Sequence, residues 1–411
     1  MNYVSEPKTI FIYSWSTIWS MKNKSGAPSF FRTIDLYIKK GWDVNLILTD
    51  AHNGANEIAD NCHVYVMKKW KTDKWISAKM RSKPFLLLKM FRYYSYAKKI
   101  TKHIMRQKDV QSTLFYGYEV HGVPAAEWAS KKYKRPLVTR FQGTVATYFK
   151  DNLATKIKQY FRLKALKTEA DLVIMTDDGT QGLTTLKRLG NPSKNIVFWK
   201  NGLDLFEKEY SFSETDRKIM REALGILEGE CMLLTVSRLQ DWKRVDRAIC
   251  ALAEVVNRDN SGFKLVIVGD GPARSTLEEL AIQKNVSDKV VFVGAQEHDR
   301  VYDFMSCADI FLSLYDMSNV GNPLLEALTL GKCIVTLAGG DTDKVIHNDY
   351  NGVIIEPEDL GKLPEIILNL SQDSAQRQNL EEGAKDYATK NLYSWSTRME
   401  MEYKKVLELM E

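Results

Sequence analysis

Arg238 and Lys243 stand five residues apart in SRLQDWKRVDRAI, directly after the apolar run MLLTVS (232–237). The run predicts a strand, and the stretch after it predicts a helix from about Lys243. Two cations at a strand's carboxyl end, beside a helix N-terminus, make an anion site. Arginine forks a phosphate, lysine adds a compact charge, and the helix dipole supports both. Three further elements end in the same manner. KLVIVG runs into VGDGP (268–272), a turn that holds Gly271 and leads to a helix opened by Pro272. VVFVG ends at Gly294, which opens a loop where a base could lie against backbone. DIFLSLYDMSNVGNPLLEALTLGKCIVT (309–336) predicts strand, loop and helix in succession, with Gly321 and Pro323 at the helix start. There the backbone N–H groups of Asn322, Leu324 and Leu325 could face a phosphate. Glu326, expected in the first turn, could accept two hydrogen bonds from the vicinal hydroxyls of a ribose. Each element alone is common in α/β proteins, and their order and spacing together are the specific signal.

The elements that must position these residues alternate along the whole chain. Apolar runs at 8–14, 43–49, 64–67, 113–118, 136–141, 171–176 and 195–199 predict strands in the first half. Runs at 232–237, 264–269, 290–294, 309–314, 333–337 and 352–356 do so in the second. Helical patterns lie between them, one from Pro28 to Lys40 with Gly41 just past its end. Strands this apolar, separated by helices, predict parallel sheets covered on both faces. The expected fold is α/β, with two doubly wound Rossmann-like domains at 1–200 and 201–392. The final helical pattern, about 393–411, is expected to pack back on the first domain. Ligands of such folds bind beyond the carboxyl ends of strands, so a cleft between the domains is the expected site.

In this arrangement the chain resembles the family-four retaining glycosyltransferases, which have the GT-B architecture. The family's Gly-Arg-Leu-x3-Lys, Val-Gly-x-Gly-Pro and Glu-x7-Glu patterns correspond to SRLQDWK, VGDGP and the stretch ending in Glu326. NGLD (201–204) resembles the family's Asn-Gly-Val-Asp, and GGDTDKV (339–345) its Gly-Gly-x-x-Glu loop. LYSWSTRMEMEY (392–403) resembles its last helix. The resemblance implies that Arg238 and Lys243 hold a donor diphosphate, that Glu326 binds ribose, and that Gly294 and Ala295 border the base. It places Asn201, Gly202, Gly271, Gly321, Asn322, Pro323, Leu324 and Leu325 around the donor. SGAPSFF (25–31) stands where the family has a glycine-rich loop, which makes Gly26 the close-approach glycine. The family is thought to use same-face attack, with the donor phosphate taking the acceptor's proton and no metal or cofactor required.

Two positions depart from the family. The first glutamate of Glu-x7-Glu falls at Ser318, so Asp316 or Asn319 would have to take its place toward the donor sugar. The family's Val-Thr-x-His-Gly reads VTRFQGT here, putting Gln142 beside Gly143 and Thr144. Glutamine hydrogen-bonds but does not titrate, so position 142 supplies no general acid or base. Glu119 and His121, in YGYEVHGVP, follow a strand end and are candidate acceptor contacts. DTD (341–343) lies in the Gly-Gly loop and is expected to be polar loop rather than a metal site. A dehydrogenase would need Gly-x-Gly-x-x-Gly after a strand, which is absent. A non-catalytic nucleotide-sugar-binding protein and a sugar-nucleotide epimerase of the same architecture remain open alternatives.

Composition narrows the acceptor and the setting. Net charge is +6, yet residues 68–108 hold 14 Lys and Arg against one acid, Asp73. Aromatic residues interleave this block, which predicts an amphipathic helix whose basic face is either simply solvated or a surface for anionic lipid headgroups or a lipid-linked phosphate. No nucleic-acid-reading motif accompanies it. Five cysteines, none spaced Cys-x-x-Cys, indicate neither a disulfide framework nor a zinc site. With no signal-peptide pattern and no apolar run of ~18 residues, the expectation is a cytoplasmic protein, peripheral on the inner face of the membrane. Its expected work is moving a hexose from a UDP- or GDP-linked donor to a glycan or lipid-linked acceptor.

Overall fold

A computed structural model describes residues 8–15, 28–49, 58–68, 83–107, 111–207, 209–258 and 262–411. The first sheet contains β1 (Thr9–Ser14), β2 (Asp43–Leu48), β3 (Cys62–Val66), β4 (Thr113–Tyr118), β5 (Leu137–Phe141), β6 (Leu172–Thr176) and β7 (Ile196–Trp199). Their order is β3-β2-β1-β4-β5-β6-β7. The second contains β8 (Cys231–Val236), β9 (Phe263–Val268), β10 (Val290–Gly294), β11 (Ile310–Ser313), β12 (Cys333–Leu337) and β13 (Val353–Ile355). Their order is β10-β9-β8-β11-β12-β13. Every pairing in both sheets is parallel. Strand order reverses between β1 and β4 in one sheet and between β8 and β11 in the other, and these switch points are where such folds bind ligands.

The helices with the first sheet are α1 (Pro28–Lys39), α2 (Lys83–Ile104), α3 (Glu119–Tyr133), α4 (Leu153–Lys158), α5 (Tyr160–Leu166) and α6 (Gly182–Leu189). Those that follow are α7 (Glu214–Ala223), α8 (Val245–Arg258), α9 (Arg274–Gln283), α10 (His298–Cys307), α11 (Asn322–Thr329), α12 (Leu363–Gln372), α13 (Ser374–Asn391) and α14 (Trp395–Met410). The second sheet shows why its strands read as continuous apolar runs. Leu233, Leu265, Leu312 and Val335 face one core with α8 and α12. Met232, Leu234, Val266, Phe311 and Ile334 face another with α10 and α11. Alternate residues thus enter two cores, one on each face of the sheet.

Two compact units result. One comprises Met1–Thr176, Gly182–Trp199 and Thr397–Glu411; the other comprises Asp177–Gln181 and Lys200–Ser396. The last helix is therefore divided, its residues from Thr397 onward belonging to the first unit.

The first unit buries charge. Arg140 on β5 and Glu402 on α14 are fully buried and pair at 2.9 Å. Glu402 also accepts from Tyr116 Oη at 2.8 Å and lies 3.3 Å from Arg398. Arg140 donates further to Thr33 Oγ1 on α1. Among the described residues no helix is long and apolar enough to cross a membrane, and all five cysteines are free.

Candidate functional site

In the second unit the expected donor residues gather at the carboxyl ends of β8, β9, β10, β11 and β12. Arg238 follows β8 and is exposed. Lys243 sits in a short 3-10 turn, Asp241–Lys243, and not at a helix start as its sequence suggests. Arg244 interrupts: it has φ +49° and is held there by Asp246 at 2.8 Å and Asp316 at 3.4 Å, so α8 begins at Val245. The Lys243 ammonium lies 3.8 Å from the ring centre of Tyr315 and 4.3 Å from that of Trp242. Tyr315 follows β11 and donates its hydroxyl to Val236 O at 2.7 Å. The two strands flanking the switch point thus build one aromatic cage around the lysine. Burial in the cage is the main influence on its pKa and lowers it to about 7; Arg238 acts in the same direction and Asp178 opposes.

The glycines bring loops together. A Cβ at Gly271 would stand 2.3 Å from Leu239 O, so the VGDGP turn packs directly on the Arg238 loop. A Cβ at Gly202 would stand 2.4 Å from the Trp395 Cα, which makes glycine there a requirement of packing against the start of α14. Gly202→Ala is expected to destabilise the protein by about 1–3 kcal/mol, because backbone must move to admit the methyl group; urea unfolding measures it. Gly294, half-buried, and Ala295, exposed, end β10, the former with φ +75°.

The start of α11 differs from expectation in two ways. Its first residue is Asn322, so Glu326 occupies the second turn. Glu326 is 2% exposed, and its Oε1 lies 2.8 Å from His298 Nε2. His298 Nδ1 in turn lies 3.5 Å from Asp204 Oδ2. Burial works against charge on this imidazole, but the hydrogen bonds to Asp204 and Glu326 outweigh it and raise its pKa to about 10. An imidazolium therefore bridges the NGLD aspartate and the candidate ribose ligand, and the sequence gives no hint of it beyond the residue types. The second difference concerns the amides. Pro323 has no N–H, and the N–H groups of Leu324 and Leu325 donate to Gly321 O at 3.0 and 3.3 Å. That leaves the amide of Asn322 for an anion, beside the Asn322 side chain, which accepts from Asn201 Nδ2 at 3.0 Å. The side chains of Leu324 and Leu325 are core.

Position 318 also acquires surroundings that the sequence conceals. Ser318 has φ +57° and donates to Asp178 at 2.9 Å. Asp316 is not available in its stead, being paired with Arg247 at 2.7 Å as well as with Arg244. In the Gly-Gly loop, Asp341 is 2% exposed, pairs with Lys344 at 2.6 Å and accepts from Gln181 N at 3.0 Å. Among the described residues no group of three His, Cys, Asp or Glu side chains could hold a metal ion.

In the first unit the candidates cluster at the ends of β4 and β5. Glu119 has φ +59° and accepts from Gln142 N at 2.6 Å. Gln142 Nε2 is buried without a hydrogen-bond partner among the described residues. Gly143 has φ +90°, and Thr144 Oγ1 accepts from Ala146 N at 3.1 Å, capping the next turn. His121 goes elsewhere. It stacks on Trp15 at 4.2 Å and, with Phe91, Tyr94 and Phe161, lines a cavity of about 200 Å³. Burial, followed by Arg162 and Lys89, lowers its pKa to about 4, so it is neutral at pH 7. Gly26 lies outside the described residues, as do 69–82 and 108 of the basic block.

Known proteins repeat parts of this picture. Over 199 residues the chain is 30% identical to N-acetyl-alpha-D-glucosaminyl L-malate synthase of Bacillus anthracis, covering 48% of this chain and 50% of that one. Over 339 residues it is 23% identical to alpha-monoglucosyldiacylglycerol synthase of Streptococcus pneumoniae, covering 80% and 72%. The chain spans about half the length of the first two curated relatives it matches. HepE of Anabaena, solved in complex with UDP, superimposes with a TM-score of 0.72 over 98% of this chain and 99% of that one at 18% identity. That likeness is one of fold, and the fold is GT-B. Residues 216–387 match the family model described as Glycosyl transferases group 1, a span that holds Arg238, Lys243, Gly271, Gly294, Ser318 and Glu326.

Proposed function

We propose that the chain is a retaining, metal-independent glycosyltransferase that moves a hexose from a UDP- or GDP-linked donor to a glycan or lipid-linked acceptor. The observation that carries this is the pairing of exposed Arg238 with caged Lys243 at the β8–β11 switch point. In such a transfer the bond from anomeric carbon to diphosphate oxygen breaks through an oxocarbenium-like state. Negative charge grows on the departing diphosphate, where the two cations await it. Glu326, oriented by His298, takes the ribose, and Asn322 offers its amide to the diphosphate. The acceptor hydroxyl attacks from the leaving-group face and its proton passes to the departing phosphate, so no protein base is needed at Gln142. Similarity to the pneumococcal alpha-monoglucosyldiacylglycerol synthase supports a glycan or lipid acceptor.

Thermal unfolding with UDP, GDP, ADP, dTDP and CMP tests the donor site. A nucleotide at 100 times its dissociation constant adds about 2.7 kcal/mol, so a clear rise with UDP or GDP is expected, and its absence for all five rejects the proposal.

The first unit is proposed to meet an anionic membrane surface through the 68–108 block, in keeping with a cytoplasmic, peripheral protein. On α2, Phe91 is 60% exposed among lysines and arginines, and on α4 Leu153 and Ile157 are 73% and 69% exposed beside Lys156 and Lys158. Apolar side chains offered to water among cations suit the headgroup boundary. The protein is expected to float with phosphatidylglycerol vesicles at low salt and to sink at high salt; sinking under both conditions rejects the lipid surface.

A further inference from the structure

A carboxylate does reach position 318, from 140 residues earlier in the chain. Asp178 follows β6, and the segment Asp177–Gln181 belongs to the second unit. Its Oδ2 accepts from Ser318 Oγ at 2.9 Å. Its Oδ1 accepts from Thr180 N at 3.1 Å and Thr180 Oγ1 at 2.5 Å, and its backbone carbonyl accepts from Val320 N at 3.2 Å. The contact is close along its length. Gly179 has φ +85°, and a Cβ on it would stand 2.8 Å from Val320 N. Asp178 also acts favourably on the Lys243 ammonium. Next to Ser318, Asn319 is 2% exposed and its Oδ1 has no hydrogen-bond partner among the described residues.

We infer that Asp178 supplies, through Ser318, the carboxylate function of the donor-sugar pocket. A serine hydroxyl carries one proton. With that proton given to Asp178, the Ser318 oxygen presents only lone pairs, as a glutamate oxygen would. Asn319 Oδ1 adds a second acceptor on the adjoining residue. The pair selects a donor sugar that presents hydroxyl hydrogens, and a deoxy sugar leaves a buried acceptor unpaired. Asp178 is thus a positioning residue, and Ser318 is the one that meets the sugar. This inference rests on the donor site proposed above.

Calorimetric titration with UDP and UDP-glucose tests it, or with GDP and GDP-mannose if GDP is the nucleotide that stabilises the protein. The free nucleotide measures the Arg238–Lys243 site alone, and the conjugate adds the sugar pocket. Because Asp178 also supports the charge on Lys243, the titrations are run at pH 6, below that lysine's pKa; there Asp178→Ala and Ser318→Ala are each expected to weaken the conjugate on the order of tenfold while leaving the free nucleotide within about twofold. The double variant is expected to be no worse than Ser318→Ala, since both remove one relay. Asp178→Asn keeps the side chain's shape and should lose less, which guards against a variant that misfolds. Ser318→Glu in the Asp178→Ala background is expected to restore the conjugate's affinity. Equal losses for nucleotide and conjugate, or additive losses in the double variant, overturn the inference. A wild-type protein that binds neither nucleotide nor conjugate removes the donor site itself, and this inference with it.

Discussion

Lys243→Ala is expected to slow sugar transfer by on the order of a hundredfold or more, the usual effect of deleting one preorganised group at developing charge. The expectation follows from the cage. Tyr315 and Trp242 hold the ammonium in place and strip its water, so its field reaches a diphosphate with little screening. The same desolvation gives the residue a pH signature. With its pKa near 7, Lys243 loses its proton in the free protein as pH passes neutrality. A bound diphosphate favours the charged form and draws a proton back. Affinity for a nucleotide sugar should therefore be greatest below pH 7 and fall by up to about tenfold per unit above it. The ligand contributes nothing to this slope, because its diphosphate diester does not titrate there. Binding at pH 7.5 should take up protons, visible as a heat that varies with the ionisation enthalpy of the buffer. Lys243→Met should bind weakly with neither the slope nor the buffer dependence. Wild-type affinity that is flat from pH 6 to 9 would sink this account of the cage. The sign for stability is opposite. An unfolded lysine titrates near 10.4, so between about pH 7 and 10 the unfolded chain holds the extra proton. Over that interval this residue favours folding more as pH rises.

The second large effect lies away from the donor. Glu402→Ala is expected to destabilise the first unit by about 3–5 kcal/mol, because it strands Arg140 without its carboxylate in the core. For a unit of about 200 residues this corresponds to a fall in melting temperature of about 6–20 °C. Tyr116 loses its acceptor in the same stroke. Glu402→Gln should recover part of the loss, since the amide oxygen still accepts from Tyr116. Replacing Glu402 together with Arg140 and Arg398 by apolar residues of similar size should cost less than Glu402→Ala alone. Urea unfolding of the three proteins decides the matter: a Glu402→Ala loss below about 1 kcal/mol would show that the buried pair is energetically idle.

Most of the fold is legible in the sequence, for a physical reason. The strands of a sheet covered on both faces are mostly apolar runs, and such runs are hard to mistake. TLFYGY, VVFVG and CIVTL match β4, β10 and β12 residue for residue, and the other runs differ by a few residues at their ends. The placement of candidate residues beyond strand ends is legible where one segment carries them, as with Arg238, Gly271, Gly294 and Gly321. It is not legible where folding joins distant segments. Arg244 closes off the Lys243 turn through carboxylates at 246 and 316, and an arginine at positive φ is not something local sequence suggests. Glu326 receives its partner from α10, and Ser318 receives Asp178 from beyond β6. The neighbouring acids in TDD (176–178) were the one available sign, because buried acids past a strand end need partners.

The divided last helix carries a consequence for how the chain is made. Arg140 is synthesised some 260 residues before Glu402, the residue that compensates its charge. During that interval the first unit cannot close around an unpaired guanidinium without a penalty of several kcal/mol. Synthesis usually lets domains fold in order, the first before the second. Here the second unit's residues up to Ser396 emerge before the residues that complete the first. The first unit therefore gains its charge-compensated core only after residue 402 has been made, later than nearly all of the second unit.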